Sequence, residues 1–133
     1  MFLIQLKYNC TSLTSVPEFD TSSVTNMVGM FSNCTALKNV PLFDTSSVTN
    51  MAAMCRWCGH LKNIPVFADV SQVKNVSSIF YDCQNVESGI LSIYNKFSVL
   101  GLTSDKYAGA FYNCGLRTQT GEEELEHIPS DWK

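Results

Sequence analysis

Phe19-Asp20-Thr21-Ser22-Ser23-Val24-Thr25-Asn26-Met27 recurs letter for letter at Phe43 to Met51. A word of that length does not repeat by chance in 133 residues. Read outward, Thr11–Cys34 and Thr35–Cys58 agree at more than half of their positions, and Gly59–Cys83 keeps the same apolar skeleton. The chain is therefore a repeat array, in which one unit buries its apolar face only against the next.

Each unit carries two patterns. Leu13, Val16 and Pro17, repeated as Leu37, Val40 and Pro41 and as Leu61, Ile64 and Pro65, form a short apolar piece stopped by proline, the signature of a brief strand. Val24, Met27, Met30, Phe31 and Cys34 then fall at i, i+3, i+6, i+7 and i+10, which predicts a helix capped by Asp20, Ser22 or Ser23. Stacking such units predicts an α/β solenoid, a right-handed coil with short parallel strands on one side and short helices on the other.

The two ends depart from the template. Residues 1–10 read as a partial repeat or N-terminal cap, with Leu3 and Leu6 in the slots of Met27 and Met30. Residues 11–83 are the repeats proper, and residues 84–133 a divergent last repeat and helical C-terminal cap. In that last stretch Ile90, Leu91, Ile93, Tyr94, Phe97 and Leu100 make a stripe at helical spacing. A second short helix is predicted over Asp105 to Tyr112, and Leu125, Ile128 and Trp132 are the last apolar anchors. An N-terminal end left bare would be covered by Met1 to Leu6, or by another domain or copy.

Composition narrows the function. A net charge of −3 with nine Lys and Arg offers neither a nucleic-acid footprint nor an electrostatic membrane anchor. The longest early apolar run, Met1 to Ile4, is shorter than a signal-peptide core, and nothing approaches a membrane span, so neither export signal nor insertion is expected. Catalysis needs a poised base, nucleophile or metal. The two histidines, His60 and His127, have no evident partners in the sequence, and the expectation is a non-enzyme without cofactors or metal.

Five of the six cysteines, Cys10, Cys34, Cys58, Cys83 and Cys114, occur once per unit. That recurrence predicts a ladder of buried thiols at a tight turn. Cys55 and Cys58 make a C-x-x-C, but Cys55 occupies the slot of Phe31 and Phe80 and no second pair stands at zinc-binding spacing. Asn9, Asn33 and Asn75 begin N-x-Ser/Thr triplets, yet the place of Asn9 and Asn33 before the repeated cysteine favours a left-handed turn over glycosylation.

Recognition residues in a repeat array are those that vary on a fixed skeleton. Immediately before the repeated cysteine stand Asn9, Asn33, Trp57, Asp82 and Asn113, and one position earlier Tyr8, Ser32, Arg56, Tyr81 and Tyr112. Arg56, Trp57, Tyr81 and Tyr112 are thus candidate partner-binding residues on one edge, of the types enriched in binding hot spots. A second candidate is the strand face, where Asn39 and Asn63 point out beside Lys38 and Lys62. Its hydrogen-bonding groups suit a peptide or a glycan.

The repeated nine-residue word, Met30 to Cys34 and Cys10 to Pro17 resemble the BspA-like leucine-rich repeats of bacterial surface proteins, most closely over residues 10–83. The resemblance implies an adhesion or protein-recognition module of bacterial or phage origin, at a cell surface or outside the cell within a larger assembly. Its partner would be a protein or glycan. The alternatives are a structural spacer that forms homo-oligomers through its N-terminal end, and a cytoplasmic interaction protein.

Overall fold

Alternate N–H groups in the run after the Asp-Thr-Ser-Ser loop leave their own repeat and bond to the next. Met27, Gly29, Phe31 and Asn33 donate to the carbonyls of Asn50, Ala52, Met54 and Arg56. Met51, Ala53, Cys55 and Trp57 donate in turn to Asn75, Ser77, Ile79 and Tyr81. Val76, Ser78, Phe80 and Asp82 donate to Lys106, Ala108, Ala110 and Tyr112. Successive repeats are therefore stacked in parallel, one coil on another. The computed structural model describes the backbone pairing of Phe2 and Leu3 and the whole of residues 8–133.

This arrangement corrects the expected helix over Val24–Cys34, because residues 8–89 contain no α-helix. The N–H groups that stay within the coil close four-residue turns, from Met30 to Met27 (3.3 Å), Ser32 to Gly29 (3.0 Å) and Cys34 to Phe31 (3.0 Å). Such turns place apolar residues at i, i+3 and i+6 just as a helix does over a short window. What rules the helix out is a left-handed residue in mid-run: Gly29 has φ 63°, Ala53 54°, Ser78 54° and Gly109 63°, all in one slot. A second left-handed slot closes the run at Asn9, Asn33, Trp57, Asp82 and Asn113, with φ between 52° and 62°. Asn9 and Asn33 thus adopt the left-handed turn that their position predicts.

The expected strands are also corrected. The segments before each proline contribute isolated bonds, Lys38 N–H to Thr14 and Lys62 to Lys38, and one parallel bridge of Asn63 with Ser88 made by Glu87 N–H to Lys62 and Ile64 to Ser88, rather than continuous strands. The strands proper are β1 (Phe2–Leu3) and β2 (Val24–Asn26), which pair in parallel. Isolated parallel bridges continue the stack at Asn26 with Asn50, Asn50 with Asn75, and Phe43 with Phe67. Coils this tightly turned leave only short runs for pairing. The proposal that Met1 to Leu6 folds over the first coil lies outside the described residues, apart from the β1 pairing.

Both copies of the repeated word adopt one conformation. Asp20 Oδ1 accepts from the N–H (2.9 Å) and hydroxyl (2.6 Å) of Ser22, and Asp44 Oδ1 does the same for Ser46 (3.0 and 2.6 Å). These aspartates therefore close turns rather than cap helices. The buried threonine beside each pins the stack: Thr21 donates to the Asp44 carbonyl (2.9 Å) and Thr45 to that of Asp69 (2.5 Å). Inside runs one core from Val16 to Trp132, in which Met27, Met30, Met51, Met54, Phe31 and Phe80 are fully buried.

Three helices and a 3-10 turn follow: α1 (Ile90–Ser98), α2 (Ser104–Tyr107), α3 (Gln119–Glu126) and Ser130–Trp132. Helix α1 falls on the predicted stripe and buries Ile90, Ile93 and Phe97. It sits in the chain between the pre-cysteine run of one coil and that of the next, which accounts for the long spacing from Cys83 to Cys114. Glu124 of α3 accepts from the N–H of Leu91 in the first turn of α1 (3.1 Å), joining the two helices. Phe111 occupies the slot of Phe31, Cys55 and Phe80, and its N–H finds the carbonyl of Trp132 (2.9 Å) where a further coil would have supplied one. Leu125, Ile128 and Trp132 are buried.

Candidate functional site

Stacked coils bring equivalent residues into rows, so an edge of the molecule repeats one slot of the sequence. Along the row Tyr8, Ser32, Arg56, Tyr81 and Tyr112, the guanidinium of Arg56 lies 4.0 Å from the ring of Trp57 and 5.1 Å from that of Tyr81. Tyr81 then stacks on Tyr112, with centroids 4.6 Å apart and planes at 21°. The four residues singled out on this edge thus form one continuous stack, an arrangement favourable for both the cation and the rings. Trp57 and Tyr112 remain exposed, at 38% and 43%.

Trp57 stands out from its own slot on two counts. Its φ of 62° is a conformation that asparagine visits readily and a bulky aromatic rarely does. It also interrupts a side-chain ladder, in which Asn33 donates to Asn9 Oδ1 (2.8 Å) on one side and Asn113 to Asp82 Oδ1 (3.1 Å) on the other. A residue held against both preferences makes Trp57 the leading candidate on this edge.

The row has a gap where Ser32 replaces a large side chain. A depression of about 460 Å³ opens there, lined by Tyr8, Val28, Gly29, Ser32, Ala53, Arg56 and Trp57. Arg56 Nε is buried and meets no acceptor, and the guanidinium is in neither of the ion pairs found among the described residues, Lys62 with Glu87 and Lys106 with Asp105. The alignment of repeats contains the signal for this gap, because serine stands among tyrosines and arginine. Its shape, set by the left-handed slot of Gly29 and Ala53, is not in the pattern.

The second candidate surface is engaged within the chain. Asn63 donates to Asn39 Oδ1 (3.5 Å) and accepts from the hydroxyl of Ser88 (2.9 Å), while Lys62 pairs with Glu87 at 2.5 Å. Asn39 and Asn63 are exposed and adjacent, as a ladder requires, but their amides face one another more than an incoming ligand.

The cysteines lie in the core. Cys34, Cys55, Cys58, Cys83 and Cys114 are fully buried, Cys10 is half-buried, and none of the six forms a disulfide. Two thiols donate across the stack, Cys58 to the Phe31 carbonyl (3.1 Å) and Cys83 to that of Cys55 (2.9 Å). That bond gives a physical reason for cysteine at a dry, close-packed turn. A hydrogen bond with Cys58, and then burial, push the Cys55 thiol up, and burial does the same for Cys83 and Cys114. Raised, inaccessible thiols are poor nucleophiles. His60 directs Nδ1 to the Thr35 carbonyl (2.6 Å) rather than to the C-x-x-C. No set of three or more His, Cys, Asp or Glu able to hold a metal comes together among the described residues. No helix among them is long and apolar enough to cross a membrane.

Comparison with known proteins places these features in context. Residues 2–113 match the model of the family described as "Mycoplasma protein of unknown function, DUF285". No curated protein matches the sequence. Among solved structures, the crystal structure of a leucine-rich repeat protein from Eubacterium ventriosum is similar at a TM-score of 0.59 and 20% identity. The similarity covers 88% of this chain and 31% of that one, so this chain spans about a third of that protein's length. At such identity the likeness is one of fold, and the fold is leucine-rich-repeat-like.

Proposed function

The chain belongs to the DUF285 family, and from its stacked-coil geometry we propose that it is a non-enzymatic recognition module whose Arg56, Trp57, Tyr81 and Tyr112 edge docks a protein partner. The observation that carries this reading is Trp57, held exposed in a left-handed backbone slot where its equivalents are Asn or Asp. Rigid aromatic anchors beside an arginine are what hot spots are made of. The non-catalytic reading is supported by thiols sealed in the core and by a His60 ring occupied with a backbone carbonyl. Adhesion at a bacterial or host cell surface is the setting that the motif resemblance favours.

The test compares three proteins on arrays of surface proteins and of glycans: wild type, Arg56→Ala/Trp57→Ala, and Asn39→Ala/Asn63→Ala. The proposal expects protein partners whose binding falls at least about tenfold in the first variant and is kept in the second. Binding lost only in the asparagine variant, or confined to glycans, would contradict it.

A further inference from the structure

We propose that the depression beside Arg56 takes a carboxylate side chain, Glu or Asp, from an acidic, partly apolar segment of the partner. This rests on the reading of the edge as the binding surface and adds the chemistry of its occupant. Three observations converge. The row of large side chains is broken only at Ser32, so the gap between Tyr8 and Trp57 is a place for a side chain that the described residues do not supply. Arg56 lines that gap, and its guanidinium makes no ion pair among the described residues and has an Nε buried without an acceptor among them. The remaining wall, Val28, Ala53 and the Trp57 ring, is apolar and suits the methylenes and flanking residues of a peptide.

Charge decides among the candidate ligands. A neutral amide would leave the arginine uncompensated, and a doubly charged phosphate would meet a single cation. One carboxylate matches one guanidinium, whose planar fork suits it geometrically. Stacking between Trp57 and Tyr81 holds the fork in place before the ligand arrives, so little freedom is lost on binding.

The test uses the whole chain and three probes: acetyl-Leu-Glu-Leu-amide, its glutamine counterpart, and inorganic phosphate. Each is titrated while the Arg56 Nε–Hε and Trp57 indole resonances are followed. The expected result is that the glutamate peptide shifts both resonances and binds at least about tenfold more tightly than the glutamine peptide. Arg56→Gln should erase that difference, and Ser32→Tyr, which fills the gap with the ring its equivalents carry, should block binding while Arg56 stays. Equal binding of both peptides at Trp57 would overturn the carboxylate assignment and leave the docking edge standing. No shift from either peptide up to about 10 mM, or phosphate matching the glutamate peptide, would overturn the assignment outright. A partner whose binding survives Arg56→Ala/Trp57→Ala would remove the edge itself.

Discussion

At the scale of single residues, the edge is explained by what each side chain gives up. Trp57 carries backbone strain of about 1–2 kcal/mol in its left-handed slot, offset by about 0.5–1 kcal/mol from the Arg56 guanidinium over its ring. Trp57→Asn relieves the strain and restores a bridge between the flanking Asn33 and Asp82 levels. Its unfolding free energy should therefore match that of wild type or exceed it by up to about 1.5 kcal/mol by urea titration, while partner binding is lost. A fall of several kcal/mol would make Trp57 a packing residue instead. The thiols behave in the opposite sense. Cys58→Ala removes a fully buried group and a donor to the Phe31 carbonyl, and should cost about 1–2 kcal/mol. Alkylation of the native chain should modify Cys10 and spare the five buried thiols, as peptide mass mapping would show; rapid labelling of Cys55 or Cys58 would mean that the core is open.

At the scale of elements, the turns and the helical segment answer to different forces. The side-chain hydroxyls of Ser22 and Ser46, with their N–H groups, hold the Asp20 and Asp44 carboxyls below the usual 3.8, and the N–H of Ser71 does so first for Asp69. A carboxylate with a lowered folded-state pKa adds stability that is present above the unfolded value and is lost as pH falls through the folded one. The urea midpoint should therefore hold steady from neutral pH down to about 5 and decline below about 4, and Asp44→Asn should flatten part of that decline. Helix α3 depends on a close approach. A Cβ on Gly121 would lie 2.5 Å from the Gly115 carbonyl oxygen and 2.6 Å from the Gly115 Cα. Gly121→Ala gains up to about 1 kcal/mol of helix propensity but loses more to this overlap, for a net loss of about 1–2 kcal/mol. Red-shifted Trp132 emission would report the loosened end, and unchanged emission with raised stability would contradict the contact. These elements also show what was legible. The stripe from Ile90 to Leu100 named α1 correctly because a true helix has only its own residues to bond with. Val24 to Cys34 misled because successive four-residue turns share the helix's apolar spacing, although Gly29, Ala53, Ser78 and Gly109, small residues in one slot, already hinted at a left-handed backbone.

At the scale of the whole molecule, the repeat itself was plain in the duplicated word, and so was the row that brings Arg56, Trp57, Tyr81 and Tyr112 together. Stacking of unlike coils was not: the shape of the Ser32 gap and the seating of Trp132 on Phe111 arise between residues far apart in sequence, and no local pattern encodes them. Everything about the edge depends on coils whose alternate N–H groups bond to the neighbouring coil rather than along a helix. Scalar couplings across hydrogen bonds test that point directly, in a labelled sample of the intact chain. The stacked coil predicts couplings from the N–H of Met27 to the carbonyl of Asn50, from Met51 to Asn75, and from Val76 to Lys106. Couplings from Met27 to Ser23 and from Met51 to Ser47, the i−4 pairs of an α-helix, would contradict it.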